Sequence, residues 1–246
     1  MVSSRFKRNF SITLQEKKDF FLTNLVLTLI FFFLFKNLLW LHEEVSVFFI
    51  ISKLVLLFII TGVVLALAIF VAKRYAIIHG YTAHYYSWKN GLLIGFVLSF
   101  LSYGFLPVLF PGVITLKRIE RHRHGKLYPG ENLHEIFWMI LFVESTFFLI
   151  AIISSFLFFI TNIVLFYYFM IIASIIAFFS LLPFNNNLGS HFFFSKRFIY
   201  FFFLFFSFFL SLFLLLRLYY AVLFAIIIML IVYFLSKNIL KKIFGN

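Results

Sequence analysis

Residues Val64 to Trp88 read VLALAIFVAKRYAIIHGYTAHYYSW, and this stretch decides the fold. The apolar run from Val64 to Ala72 has the composition of the end of a membrane helix. Lys73 and Arg74 mark a basic exit, and the residues beyond them are polar and aromatic with the period of two that a strand requires. The order is helix, charge, strand.

Working outward, the chain has 246 residues, of which 64% are hydrophobic and 12% charged, and several apolar runs are longer than a bilayer crossing needs. It reads as an all-α polytopic membrane protein and not as a soluble domain. Phe accounts for 43 residues spread through every apolar run, which fits lipid-facing bulk better than an aromatic binding box. There is no cysteine, which excludes disulfides, thiolate catalysis and Cys-ligated metals. The formal charge of +13 would suit nucleic acid, but the basic residues gather at helix ends, so the bilayer is the expected partner and nucleic acid is not.

Taken in order, residues 1–19 form a basic cytoplasmic or interfacial N-terminus, with no cleavable signal peptide. Residues 20–236 read as a single membrane domain with about six transmembrane helices, at 20–41, 45–72, 136–160, 162–182, 198–216 and 218–235. Residues 237–246 form a basic cytoplasmic tail. Between them, 91–115 is broken by Gly95, Gly104, Pro107, Pro111 and Gly112, which argues against one straight helix. Gly91 to Leu101 enters and Phe105 to Thr115 returns, as a re-entrant half-helix and a short β-strand. On that reading every Lys and Arg of the 21 except Lys36, Lys53 and Arg217 faces one compartment, and positive-inside makes it the cytoplasm, with both termini there, in the cell membrane.

Several of these stretches resemble the archaeal branch of the site-2 proteases, zinc metalloproteases that cut within membranes. The resemblance rests on Val71-Ala72-Lys73-Arg74-Tyr75 followed by Ala83-His84-Tyr85-Tyr86-Ser87-Trp88, on FSITLQEKKDFF before the first span, and on GLLIGFVLSFL with GFLPVLFPGVITL. It extends to Leu181-Leu182-Pro183 with Gly189-Ser190, similar to the family's LLP-x-x-x-LDG motif. In that family the helix before the basic step carries H-E-x-x-H, whose two His share a face and a metal while the Glu serves as base. Here those positions are Val64, Leu65, Ala66, Leu67 and Ala68, and the third-ligand Asp falls on Leu188. Val64, Leu65, Ala68 and Leu188 lack the chemistry, so the resemblance implies a catalytically inactive homologue with no expected cofactor. It would bind or regulate transmembrane or juxtamembrane protein segments.

The resemblance also makes the Pro-Gly strand around Gly112 an edge that pairs with an extended segment, a β-augmentation geometry. Asn185, Asn186 and Asn187 are candidates for contacting such a segment's main chain, or for hydrogen-bonding exposed backbone in a turn. Zinc would enter only through a relocated site, for which His79, His84 and His191 are the candidates and an active protease the outcome. Glu144, a carboxyl inside an apolar helix, is the intramembrane polar residue that a small transporter or channel would use, or else a structurally satisfied group. His42-Glu43-Glu44 and the loop with His122 and His124 read as hydrated turns rather than metal sites.

Overall fold

The computed structural model describes residues 12–39, 46–118, 133–184 and 186–216. The expected span 218–235, the tail, His42 to Glu44, most of the loop holding His122 and His124, and Asn185 lie outside the described residues. Seven helices and two strands occur among the described residues: α1 (Leu14–Leu39), α2 (Val47–His79), β1 (Tyr81–Tyr86), α3 (Lys89–Leu101), β2 (Val113–Arg118), α4 (Leu133–Thr161), α5 (Val164–Leu181), α6 (Leu188–Ser195) and α7 (Arg197–Leu215). Five of them, α1, α2, α4, α5 and α7, are long and apolar enough to cross a membrane. The protein is therefore an all-α, multi-pass membrane-embedded chain carrying one small two-stranded sheet.

The first helix begins earlier than its apolar run suggests. Glu16 N–H donates to Thr13 Oγ1 at 3.2 Å and Thr13 N–H donates to Glu16 Oε2 at 2.9 Å, a reciprocal capping box that starts α1 at Leu14 rather than Phe20. Residues 14–19 are thus the first turns of the helix and not a separate interfacial turn.

The second helix ends later. Lys73 and Arg74 are good helix formers, so they do not stop α2 at Ala72. The helix continues to His79 and ends at Gly80, whose φ of 82° is left-handed and whose N–H caps Ala76 and Ile77. At 33 residues and 1.5 Å per residue, α2 is about 50 Å long, which exceeds a hydrocarbon core of about 30 Å and requires tilt or protruding ends. Lys73 is only 4% exposed, so the expected basic exit is half a buried contact.

β1 follows at once and pairs antiparallel with β2, from Tyr81 opposite Arg118 to Tyr86 opposite Val113. Residues 87–112, including α3, therefore leave one end of the sheet and return to it. α3 packs against α1 during this excursion. Asn24 and Thr28 on α1 meet Thr61 on α2 through buried hydrogen bonds of 2.6 and 3.0 Å, and Asn24 also donates to the Phe58 carbonyl at 3.1 Å. Polar contacts of this kind bind helices together where lipid supplies no hydrophobic drive.

α5 is the centre of the bundle, apolar all round and continuously buried from Met170 to Ala177, with α4, α7 and α2 against it. Pro183 ends the chain's helical path just past α5, and the extra short helix α6 precedes α7.

Candidate functional site

The loop after α5 is shaped by two residues. Asn187 is 1% exposed and its Nδ2 donates to the carbonyls of Phe179 at 2.7 Å and Leu182 at 3.2 Å, satisfying acceptors that the end of α5 leaves open. Gly189 lies so near α5 that a Cβ there would sit 2.0 Å from the Leu181 oxygen. Together they fold α6 back against α5 and turn Leu188 into the bundle.

That placement brings Leu188 onto the same cavity as Leu65 and Ala68 of α2. The cavity holds about 20 Å³ and is also lined by Tyr85, Gly112, Ile114, Val143 and Ser180. It has room for about one water. Val64, on the same helix, is fully buried but does not line it. The lining residues with polar side chains are Tyr85 and Ser180, and among the described residues no three His, Cys, Asp or Glu side chains gather to hold a metal.

Tyr85 spans the sheet and two neighbouring elements. Its hydroxyl donates to the Pro111 carbonyl at 2.6 Å and lies 2.9 Å from Thr23 Oγ1. Burial holds this hydroxyl well above the ordinary phenol range, so it stays neutral and acts as a donor. Gly112 has φ 92°, and a Cβ on it would meet the Tyr86 carbonyl oxygen at 2.6 Å, so glycine is needed for the chain to enter β2 at this distance.

The ladder's alternation fixes where β2 is open. Tyr85 N–H points away from β2, since it donates to Glu16 Oε1 at 3.1 Å, so the Tyr85–Ile114 pair is one whose backbone groups face outward. Ile114 and Leu116 then turn their N–H and C=O groups to the far edge of β2, where no partner meets them among the described residues.

The remaining candidates are dispersed. His79 ends α2, exposed, with its ring stacked on Tyr75 at 4.1 Å and its Nδ1 3.0 Å from the Tyr75 carbonyl oxygen. His84 is on β1, 3.4 Å from Glu16, and His191 is on α6. Asn186 is exposed with φ 59°, whereas Asn187 is buried, its Nδ2 bonded to the end of α5 and its Oδ1 without a partner among the described residues. Glu144 is fully buried between α4 and α5: Ser180 Oγ–H donates to its Oε1 at 2.6 Å, and Oε2 has no partner among the described residues. Since Ser180 also lines the cavity, Glu144 stands directly behind its wall.

The sequence reading missed one cluster entirely. Lys73 Nζ lies 3.0 Å from both oxygens of Glu16, and the same carboxylate accepts from Thr13 N–H and Tyr85 N–H. Asp19, one turn on, accepts from Ser87 Oγ at 3.0 Å and Gln15 Nε2 at 3.3 Å. The signal was present in Thr13-Leu14-Gln15-Glu16, a capping-box pattern that places Glu16 and Asp19 on one helix face.

The fold and this site define a multi-pass membrane protein whose broken-helix core encloses an apolar cavity. Neither a protein family, nor a curated protein, nor a solved structure matches the chain.

Proposed function

We propose that this chain is a catalytically inactive homologue of the site-2 proteases, one that binds transmembrane or juxtamembrane protein segments without cutting them. The observation that carries the reading is that Leu65, Ala68 and Leu188, from distant parts of the sequence, line one cavity. These are positions where the resemblance would put the base and two of the three zinc ligands, and here they are filled by alkyl side chains. Closing such a site with apolar atoms removes the hydrolytic step and leaves the surrounding binding surfaces.

The outward edge of β2 supports the binding half of the reading. An extended segment can add to Ile114 and Leu116 by main-chain hydrogen bonds, which are strong where water is excluded. In the proposed topology the sheet lies at the cytoplasmic side, both termini are cytoplasmic, and 87–112 is re-entrant.

The test joins metal analysis to crosslinking. A photo-crosslinking residue replaces Thr115 or Lys117, whose side chains leave the face of β2 opposite the buried Ile114 and Leu116, in full-length chain expressed in membranes, with Ile59, on the exposed side of α2, as the control position. Discrete membrane-protein adducts at the β2 positions but not at Ile59 are expected, from protein that carries no stoichiometric zinc by elemental mass spectrometry. Zinc at one per chain, lost on replacing His79, His84 or His191, would instead establish the relocated active site. Absence of β2-specific adducts would remove the binding function.

A further inference from the structure

A second surface, which shares Ile69 and Tyr85 with the cavity but opens away from it, lies between α1 and α2. Beneath the Glu16–Lys73 pair runs an open apolar groove of about 600 Å³, a size within the roughly 300–1,000 Å³ of small-molecule sites. Its sides are Phe20 and Phe21 of α1 and Val63, Ala66, Leu67 and Phe70 of α2. Phe21, Val63, Leu67 and Phe70 are 40–55% exposed, at 55%, 40%, 43% and 42%, so the groove opens outward, toward lipid, and not into the bundle.

Its length and polarity match one half of a bilayer. From Val63 to Lys73 the α2 wall extends about 15 Å at 1.5 Å per residue, half of a hydrocarbon core of about 30 Å. Charged groups occur at one end only, where Glu16, Lys17 and Lys73 line it. A trough of this composition facing hydrocarbon is not a place for water, and lipid is the component that reaches it.

The charge at the mouth selects among lipids. Lys73 is held by Glu16, and Asp19 is turned toward Ser87 and Gln15, so both acids are occupied within the protein. Lys17 remains exposed at the rim with Lys18 beside it, which leaves the mouth cationic. We propose that the groove seats one acyl chain of an anionic phospholipid whose headgroup phosphate meets Lys17.

The experiment uses full-length protein purified in mild detergent. Native mass spectrometry counts retained lipid, and reloading from mixed micelles of phosphatidylglycerol and phosphatidylcholine measures preference. One retained phospholipid per chain is expected, with phosphatidylglycerol favoured. Ala66→Trp, which places an indole in the groove from an exposed position, is expected to lose it, while Val55→Trp, at an exposed site of the same helix outside the groove, keeps it. Lys17→Glu is expected to keep a lipid but to lower the phosphatidylglycerol preference at least about fivefold. Equal retention by Ala66→Trp and Val55→Trp would overturn the site, as would wild-type protein that carries no lipid. A preference unchanged by Lys17→Glu, or absent from the wild type, would overturn the headgroup assignment.

Discussion

Among the described residues two glutamates are buried in apolar helices, Glu16 at 4% exposure and Glu144 at 0%, and their surroundings are opposite. Glu16 is met by an ammonium and by two backbone N–H groups, drawn from α2, from β1 and from the start of its own helix, with the His84 ring 3.4 Å away. Glu144 is met by one hydroxyl, and its second oxygen has no partner among the described residues. A buried carboxylate with this many donors acts as a crosslink, because removing any one partner leaves the rest buried and short of a bond. A carboxyl held at one oxygen contributes little to the fold, and its presence there calls for another reason. The difference separates a group that fixes the sheet against α1 and α2 from one that stands, half-bonded, behind the central cavity.

The sharpest way to break this contrast is Lys73→Ala. Leaving Glu16 buried without its counter-ion is expected to cost about 3–5 kcal/mol, the largest loss among single changes in this region. The double change Glu16→Gln with Lys73→Met removes both charges, keeps an oxygen for one of the two backbone N–H groups, and is expected to recover part of that loss. Thermal denaturation in detergent, followed by tryptophan fluorescence, measures both. A Lys73→Ala protein that melts like the wild type would mean Glu16 is not a crosslink at all.

Next in size is Asn187→Ala. It strips the donor from the Phe179 and Leu182 carbonyls, for an expected cost of about 1–3 kcal/mol in the same assay. Asn187→Asp, which keeps the shape but lacks the amide protons, should fare no better. If Asn187 served a bound segment instead of the end of α5, both variants would melt normally and lose crosslinking at β2.

These expectations show which parts of the molecule were legible in its sequence. The long apolar runs announced the spanning helices because hydropathy over 18 or more residues is a strong signal, and Gly and Pro between Gly95 and Gly112 announced a broken, returning segment. Helix ends were misplaced where charge was read as exposure. Lys73 and Arg74 suggested an exit at Ala72, yet the helix passes through them, since Lys73 finds Glu16 from the other end of a neighbouring helix. No local pattern reports such a long-range partner. Asn187 was read either as a contact for a bound segment or as a donor to exposed backbone in a turn, and its side chain does the second at the end of α5, with Gly189 folding the chain back beside it. The cavity behind Leu65, Ala68 and Leu188 needed three dimensions, because the sequence supplies the positions but not their convergence.

Glu144 gives the smallest expected change in stability and the most informative one. Glu144→Gln keeps an oxygen for Ser180 to donate to, and the group that replaces Oε2 enters a position that had no partner, so the melting point should move by less than about 1 kcal/mol equivalent. Glu144→Leu, which removes the half-bonded carboxyl and leaves the Ser180 hydroxyl its contact with the Ala177 carbonyl, should stay in the same range. Two nearly neutral substitutions would establish that the fold does not need this carboxyl, and a purely packing role would then be gone. Proton and sodium flux into liposomes carrying wild-type protein and Glu144→Gln then decides what is left: flux lost in the variant would identify Glu144 as part of a transport path. No flux from either would confine it to the wall of the cavity. A destabilisation comparable to that of Lys73→Ala would erase the contrast with Glu16, since it would mean that Oε2 has a partner supplied by the bilayer, by water or by a part of the chain beyond the described residues.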